Sequence, residues 1–247
     1  MNILLSNDDG IYSQGLLSLA KKLSLNNKVL VVAPDGNRSA CSHSLTIAKS
    51  VKLEKVDIDQ AFDSYALSGT PADCVKFSKI VFKDFNTDIV ISGINKGHNL
   101  GSDILYSGTV SIALEASFFG HVSFAVSSYN LENGDYDLFA DYTAKIIEFL
   151  LPLSEKGDVW NINFPDNHKK IQGVKLTSLG KHIYSDDYVE VAKGEYLLSG
   201  EPLLVENEED CDIYWCEKGY ITVTPILFNK TDYKKLGEVK EKCEQLL

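Results

Sequence analysis

From residue 2 to residue 163 the chain alternates short, nearly unbroken apolar runs with longer stretches of helical periodicity, and no other feature narrows its possible folds as far. An apolar run without polar alternation is a strand buried on both faces, and such strands separated by amphipathic helices pair in parallel. The expected class is therefore α/β with a mostly parallel sheet. Strands are expected at residues 2–6, 28–33, 89–92, 123–127 and 159–163, with helices at 14–25, 71–82, 110–119 and 136–151. The second helix has a legible start. Thr70 can cap it, Pro71 suits the first helical position, and Asp73 completes a capping box.

Beyond residue 166 the pattern changes to short alternating stretches, such as 174–179 and 220–225, with no convincing helix until 233–247. Residues 1–180 are accordingly expected to form the catalytic core, and 181–247 a β-rich extension ending in a helix. The acidic run 206–212 is expected to be a solvated loop.

Charge restricts the partners. Lys and Arg total 24 against 35 Asp and Glu, and the formal charge of −11 repels nucleic acid and anionic membrane surfaces. An acidic chain that handles an anionic phosphate must neutralise it locally, with a cation or with helix N-termini. Cys41, Cys74, Cys211, Cys216 and Cys243 are odd in number and irregularly spaced, which suggests neither a disulfide framework nor a zinc site. The opening MNILLSNDDG has too short an apolar run for a signal peptide, and no stretch reaches the roughly 18 apolar residues of a membrane span. A cytoplasmic location is expected.

In an open parallel sheet, ligands bind beyond the carboxyl ends of the strands, where strand order reverses. The segments at those ends are SNDDG, PDGNRSACSHS and SGINKGHNLGSDILYSGTVS, three polar loops carrying glycine. Asp8 and Asp9 carry the most weight, because carboxylates are the hard oxygen ligands that Mg²⁺ or Mn²⁺ prefers. An Asp-Gly pair is also a common turn signal, but two acids at a functional rim are costly unless a cation or donors meet them. Ser39 and Asn95 offer neutral oxygens on neighbouring loops, although such residues also populate loops simply as turn formers. Ser107, Gly108 and Thr109 open a helix, and can present hydroxyls and N–H groups to a phosphate or serve as a plain cap. His43, His98 and His121 lack metal-ligand spacing. No GxxxxGK[ST], GxGxxG or GxSxG motif is present, so the P-loop, dinucleotide-binding and α/β-hydrolase readings lose their main support.

The blocks LLSNDDGI, VVAPDGNRSACSHSLT, SGTPADCV, DIVISGINKGHNLGSDILYSGTVSIALE, WNINFP and GYITVTPI resemble the SurE survival-protein family in order and spacing, over nearly the whole chain. The resemblance implies a Rossmann-like core with helices on both faces, and a C-terminal extension exchanged between subunits of a homodimer or homotetramer. It implies a nucleoside monophosphate phosphatase that acts on 5′- and 3′-nucleotides, and on short polyphosphate in some members, with one Mg²⁺ or Mn²⁺ per subunit. Asp8, Asp9, Ser39 and Asn95 would be the metal ligands, with Asp8 and Asp9 the catalytic pair; Asn99, Ser107, Gly108 and Thr109 would surround the phosphate. Ser13-Gln14, Gly36 and Ala40-Cys41 depart from the family pattern, and Ala40 matters most if the family's glycine has a positive φ there. The implied chemistry is attack by a metal-activated water, oriented by Asp8 or Asp9, on the phosphoryl group. The alternatives are an aspartyl-phosphate phosphatase with Asp8 as nucleophile, and a receiver-like phosphorylation switch.

Overall fold

A computed structural model describes residues 1–129, 135–166, 170–203 and 205–244. In chain order its elements are β1 (Asn2–Ser6), α1 (Gln14–Ser24), β2 (Lys28–Pro34), β3 (Leu53–Val56), β4 (Asp63–Leu67), α2 (Pro71–Val81), β5 (Ile89–Lys96), α3 (Gly108–Phe118), β6 (Val122–Ser128), α4 (Tyr136–Leu150) and β7 (Val159–Asn163), followed by β8 (Val174–Leu176), β9 (Asp187–Ala192), β10 (Glu195–Ser199), α5 (Asp212–Glu217), β11 (Ile221–Ile226) and α6 (Tyr233–Glu244).

One nine-stranded sheet runs β3-β4-β2-β1-β5-β6-β7-β11-β8. Six consecutive strands, from β4 to β7, are parallel, and five of them, β1, β2, β5, β6 and β7, are the buried apolar runs that predict this. The chain builds outward from β1 through β2 to β4, then returns to the other side of β1 with β5. Strand order thus reverses between β1 and β5, where the fold opens a crevice at the carboxyl ends.

Alternation along each strand divides the core. Ile3 and Leu5 pack with Leu16, Leu19 and Leu23 of α1 and with Phe139 and Ile147 of α4. Leu4, Leu30, Val32 and Val90 face Cys74 and Val75 of α2 and Ile112 and Ala116 of α3. Helices therefore cover both faces. The capping box at α2 forms as expected: Asp73 N donates to the Thr70 hydroxyl, and Thr70 N donates to Asp73 Oδ2. Among the described residues no helix is long and apolar enough to cross a membrane.

Several expectations need correction. β5 continues past residue 92 to Lys96 through a register shift between Ser92 and Asn95, so Asn95 lies on a bulged strand end and not in a loop. α3 begins at Gly108, two residues earlier than expected, because Ser107 caps it by accepting from Val110 N. β3 and β4 were not anticipated. LEKV is an exposed edge strand and DSYAL interrupts its apolar residues with Asp and Ser, so neither has the unbroken run of a central strand.

In the C-terminal segment the stretches expected at 174–179 and 220–225 appear as β8 and β11, which extend the main sheet. β9 and β10 form a separate antiparallel hairpin whose residues are all exposed. The short helix α5 was also unforeseen. Its first residue, Asp212, belongs to the run expected to be solvated, yet it is fully buried. The reason is hydrogen bonding: its carboxylate accepts from the N–H groups of Gly101, Gly180 and Ile213, which joins the glycine-rich loop to the C-terminal segment.

Candidate active site

The turn after β1 is fixed by Asn7. Its Nδ2 donates to Gly10 O at 3.1 Å and Ser13 Oγ at 2.6 Å, and its Oδ1 accepts from Gly10 N at 3.2 Å. Gly10 has φ +103°, and a Cβ there would lie 3.0 Å from the backbone of Gly36, so the turn requires glycine. This geometry sends Asp8 inward, where it is 4% exposed and accepts a short hydrogen bond from Thr109 Oγ1. Asp9 points along the crevice and accepts from Lys96 N at 3.0 Å, across the switch point.

Burial pushes the Asp8 carboxyl from its ordinary 3.8 to about 6, with the Thr109 hydrogen bond opposing the shift and the charge of Asp9 adding to it. Burial also raises Asp9, against the opposing Lys96 N–H and ammonium. Two adjacent acids are thus held where neither is adequately solvated, which is an arrangement that favours a cation.

The second loop docks onto the first through Arg38 N, which donates to Asp8 O at 2.7 Å and brings Ser39 alongside. Further along, Ser42 Oγ donates to Leu105 O, His43 Nε2 donates to Glu115 Oε2 at 2.9 Å, and Thr46 N donates to the Asp73 carboxylate. Glu115 is buried and also pairs with Lys76 at 2.8 Å. Ala40 and Ser42 adopt φ of +57° and +54°. The departure noted at Ala40 therefore falls on a left-handed position, where an L side chain is strained.

From β5, Asn95 Nδ2 donates to Gly97 O, which leaves its Oδ1 as an acceptor. Asn99 is buried and held by Asn163 Oδ1 on its N–H, by Ser127 Oγ on its Nδ2, and by the Asn161 and Asn163 amides on its carbonyl. As the cap of α3, Ser107 uses an oxygen lone pair, so its hydroxyl proton stays free to donate. Gly108 packs directly on Asp8, and a Cβ there would stand 2.7 Å from Asp8 Cβ and 3.0 Å from Pro71 Cγ.

Asp8, Ser39, Asn95, Asn99 and Ser107 line one cavity of about 260 Å³. Asp9 sits at its edge, linked through Lys96, while Gly108 and the fully buried Thr109 lie behind Asp8 and support it. Lys96, Asp103 and Tyr106 also line the cavity and were not singled out from sequence. Lys96 was the findable one, since it follows Asn95 directly in an acidic chain. His98 reaches the cavity too; its Nε2 donates to Phe164 O at 2.7 Å, and burial lowers its pKa, so it stands there as a neutral ring. His43 serves to anchor its loop, as described above.

Among the described residues no group of three or more His, Cys, Asp and Glu side chains could hold a metal. Two carboxylates with a hydroxyl and an amide oxygen form an all-oxygen set, suited to Mg²⁺ or Mn²⁺, which retain several waters.

The sequence model of the family described as Survival protein SurE matches residues 3–186. A protein named 5′-nucleotidase SurE from Thermoanaerobacter sp. (strain X514) is 44% identical over 247 aligned residues, covering 96% of each chain. A protein of the same name from Clostridium beijerinckii is 39% identical, covering 99% of this chain and all of its own. The crystal structure of the SurE protein from Aquifex aeolicus superposes with a TM-score of 0.82 at 35% identity, over 97% of this chain and 98% of that one. With the sequence match, the strand order and the acidic turn beyond β1 all in agreement, this chain belongs to the SurE family.

Proposed function

We propose that this protein is a 5′-nucleotidase, a metal-dependent phosphomonoesterase that hydrolyses nucleoside monophosphates to nucleoside and phosphate. The observation that carries the reading is the Asp8–Asp9 pair at the β1/β5 switch point, with Asp8 buried against a cavity that Ser39, Asn95, Asn99 and Ser107 also line and Asp9 at its edge. The relatives named 5′-nucleotidase SurE support the substrate class.

Asp8, Asp9, Ser39 and Asn95 would hold one Mg²⁺ or Mn²⁺. When bound, that ion supplies charge neutralisation at the phosphoryl oxygens and acidifies a water. Asp9 is fixed on one oxygen by Lys96 N and keeps the other to orient the attacking water. The free hydroxyl proton of Ser107 and the amide of Asn99 approach the equatorial oxygens, and the N-terminus of α3 adds its positive end. Thr109 and Gly108 hold Asp8 in place. No covalent enzyme intermediate is needed.

What this cavity recognises is a terminal phosphoryl group, so 3′-monophosphates and short polyphosphate belong to the same reading. The thiols of Cys41, Cys74 and Cys211, none of them in a disulfide among the described residues, support a reducing, cytoplasmic setting. The exposed apolar side chains of β9–β10, among them Tyr188, Val191, Tyr196 and Leu198, support a homodimer or homotetramer. The test is phosphate release from AMP, 3′-AMP and tripolyphosphate with Mg²⁺ or Mn²⁺ and with excess chelator. Chelator-sensitive release from AMP is expected, and no release from any nucleotide refutes the reading.

A further inference from the structure

Beyond Asp103 and Tyr106 the small cavity continues into a second of about 720 Å³, with Ala40, Asp103 and Tyr106 lining both. A volume of that order is typical of small-molecule sites and exceeds what a phosphoryl group needs.

One wall of the larger space carries a polar cluster that the hydrolysis described above does not use. Asp103 Oδ2 accepts from His182 Nδ1 at 2.7 Å and from Tyr184 OH at 3.1 Å. The Asp103 and His182 side chains are only 23% and 27% exposed. Two chain segments 80 residues apart are tied together here, since Ser102 Oγ donates to His182 O at 2.6 Å and accepts from His182 N at 2.9 Å. The segment carrying His182 and Tyr184 is itself braced, with Ser185 N donating to Glu201 O and Leu203 N donating to Ile183 O.

Chemistry narrows the ligand. His182 and Tyr184 both bond Oδ2, which orients the carboxylate and leaves Oδ1 to accept from a ligand hydroxyl. The imidazole N–H donates to the carboxylate, so Asp103 faces the ligand as a hydrogen-bonded acceptor. Around the cluster the rings of Tyr106 and Tyr184 and the side chains of Leu105 and Leu198 form an apolar surface suited to a flat heterocycle. A sugar diol joined to a planar base, one cavity away from a phosphoryl site, matches these features.

We propose that the Asp103–His182–Tyr184 cluster is the nucleoside-binding wall, with Asp103 accepting hydrogen bonds from the ribose hydroxyls and the tyrosine rings flanking the base. This rests on the nucleotidase reading for the position of the phosphoryl group, but its test does not need hydrolysis. Titration calorimetry with adenosine and 2′,3′-dideoxyadenosine measures the wall alone.

Wild type binds adenosine about tenfold more tightly than the dideoxy analogue, the value of one hydrogen bond to a charged acceptor. Asp103→Asn and His182→Ala abolish the difference. Tyr184→Phe keeps the ring and removes the orienting hydroxyl, and it narrows the difference while both nucleosides still bind. Equal binding of the two nucleosides by wild type, or an undiminished difference in folded Asp103→Asn and Tyr184→Phe proteins, overturns the proposal. A protein that discriminates the two nucleosides yet releases no phosphate from AMP refutes the hydrolytic reading and leaves the nucleoside wall standing.

Discussion

Replacing Asp8 with Asn should make the metal-free protein more stable while it abolishes activity. The ordinary carboxyl pKa of 3.8 rises to about 6 in the fold, because the side chain is 4% exposed. The folded state therefore holds this proton more tightly than the unfolded chain. As pH rises from 3.8 to 6 the unfolded chain gives up the proton first, and stability falls through that window. Above it the penalty is complete, at about 3 kcal/mol for a shift of this size. Asn is nearly isosteric, still accepts from Thr109 and carries no charge, so Asp8→Asn removes the penalty. In chelator at pH 7.5 its Tm should be roughly 6–12 °C above wild type, at 2–4 °C per kcal/mol for a chain of this length. At pH 4.5 the advantage should shrink to about 1 kcal/mol, since wild-type Asp8 is then largely protonated. Added Mn²⁺ should stabilise wild type and leave the variant unmoved. Differential scanning fluorimetry at the two pH values measures all of this. A variant less stable than wild type in chelator at pH 7.5, or an advantage that does not change with pH, refutes the reasoning.

Other substitutions test the supports of the site. Gly108→Ala places a Cβ 2.7 Å from Asp8 Cβ, and the displaced carboxylate should cost on the order of a hundredfold in kcat/KM for AMP, read by phosphate release. Ala40→Gly relieves a φ of +57° and should raise stability by about 1 kcal/mol in urea unfolding; a lower midpoint contradicts the strain. Glu115→Ala cuts the buried anchor of His43 and Lys76, frees the loop that carries Ser39, and should weaken apparent Mn²⁺ affinity about tenfold in an activity titration.

Much of the fold was legible because its signal is local. The five central strands are buried on both faces, so ILL, VLVV and IVI appear as unbroken apolar runs, and Thr70, Pro71 and Asp73 advertise the start of α2. β3 and β4 escaped because an edge strand and its neighbour need no such run, and α5 because it is held by Leu100 and by the Gly101 and Gly180 N–H groups that its own Asp212 accepts from, all on distant segments. In the candidate site, strand ends and residue chemistry pointed to Asp8, Asp9, Ser39, Asn95 and the start of α3. Asp103, His182 and Tyr184 stayed hidden, since nothing local marks residues brought together from across the chain. The bulge that puts Asn95 and Lys96 on the end of β5 is likewise a pairing property, visible only with β6 in place.

The most direct test of the acidic pair is steady-state phosphate release from AMP across a series of free Mn²⁺ concentrations, for wild type and for Asp9→Ala with its fold verified by circular dichroism. Wild-type activity should saturate with Mn²⁺ and vanish in chelator, while Asp9→Ala should stay at least a hundredfold lower at every concentration. Wild-type turnover that persists without divalent ion, or an Asp9→Ala protein that matches wild type, would contradict the role assigned to these two carboxylates.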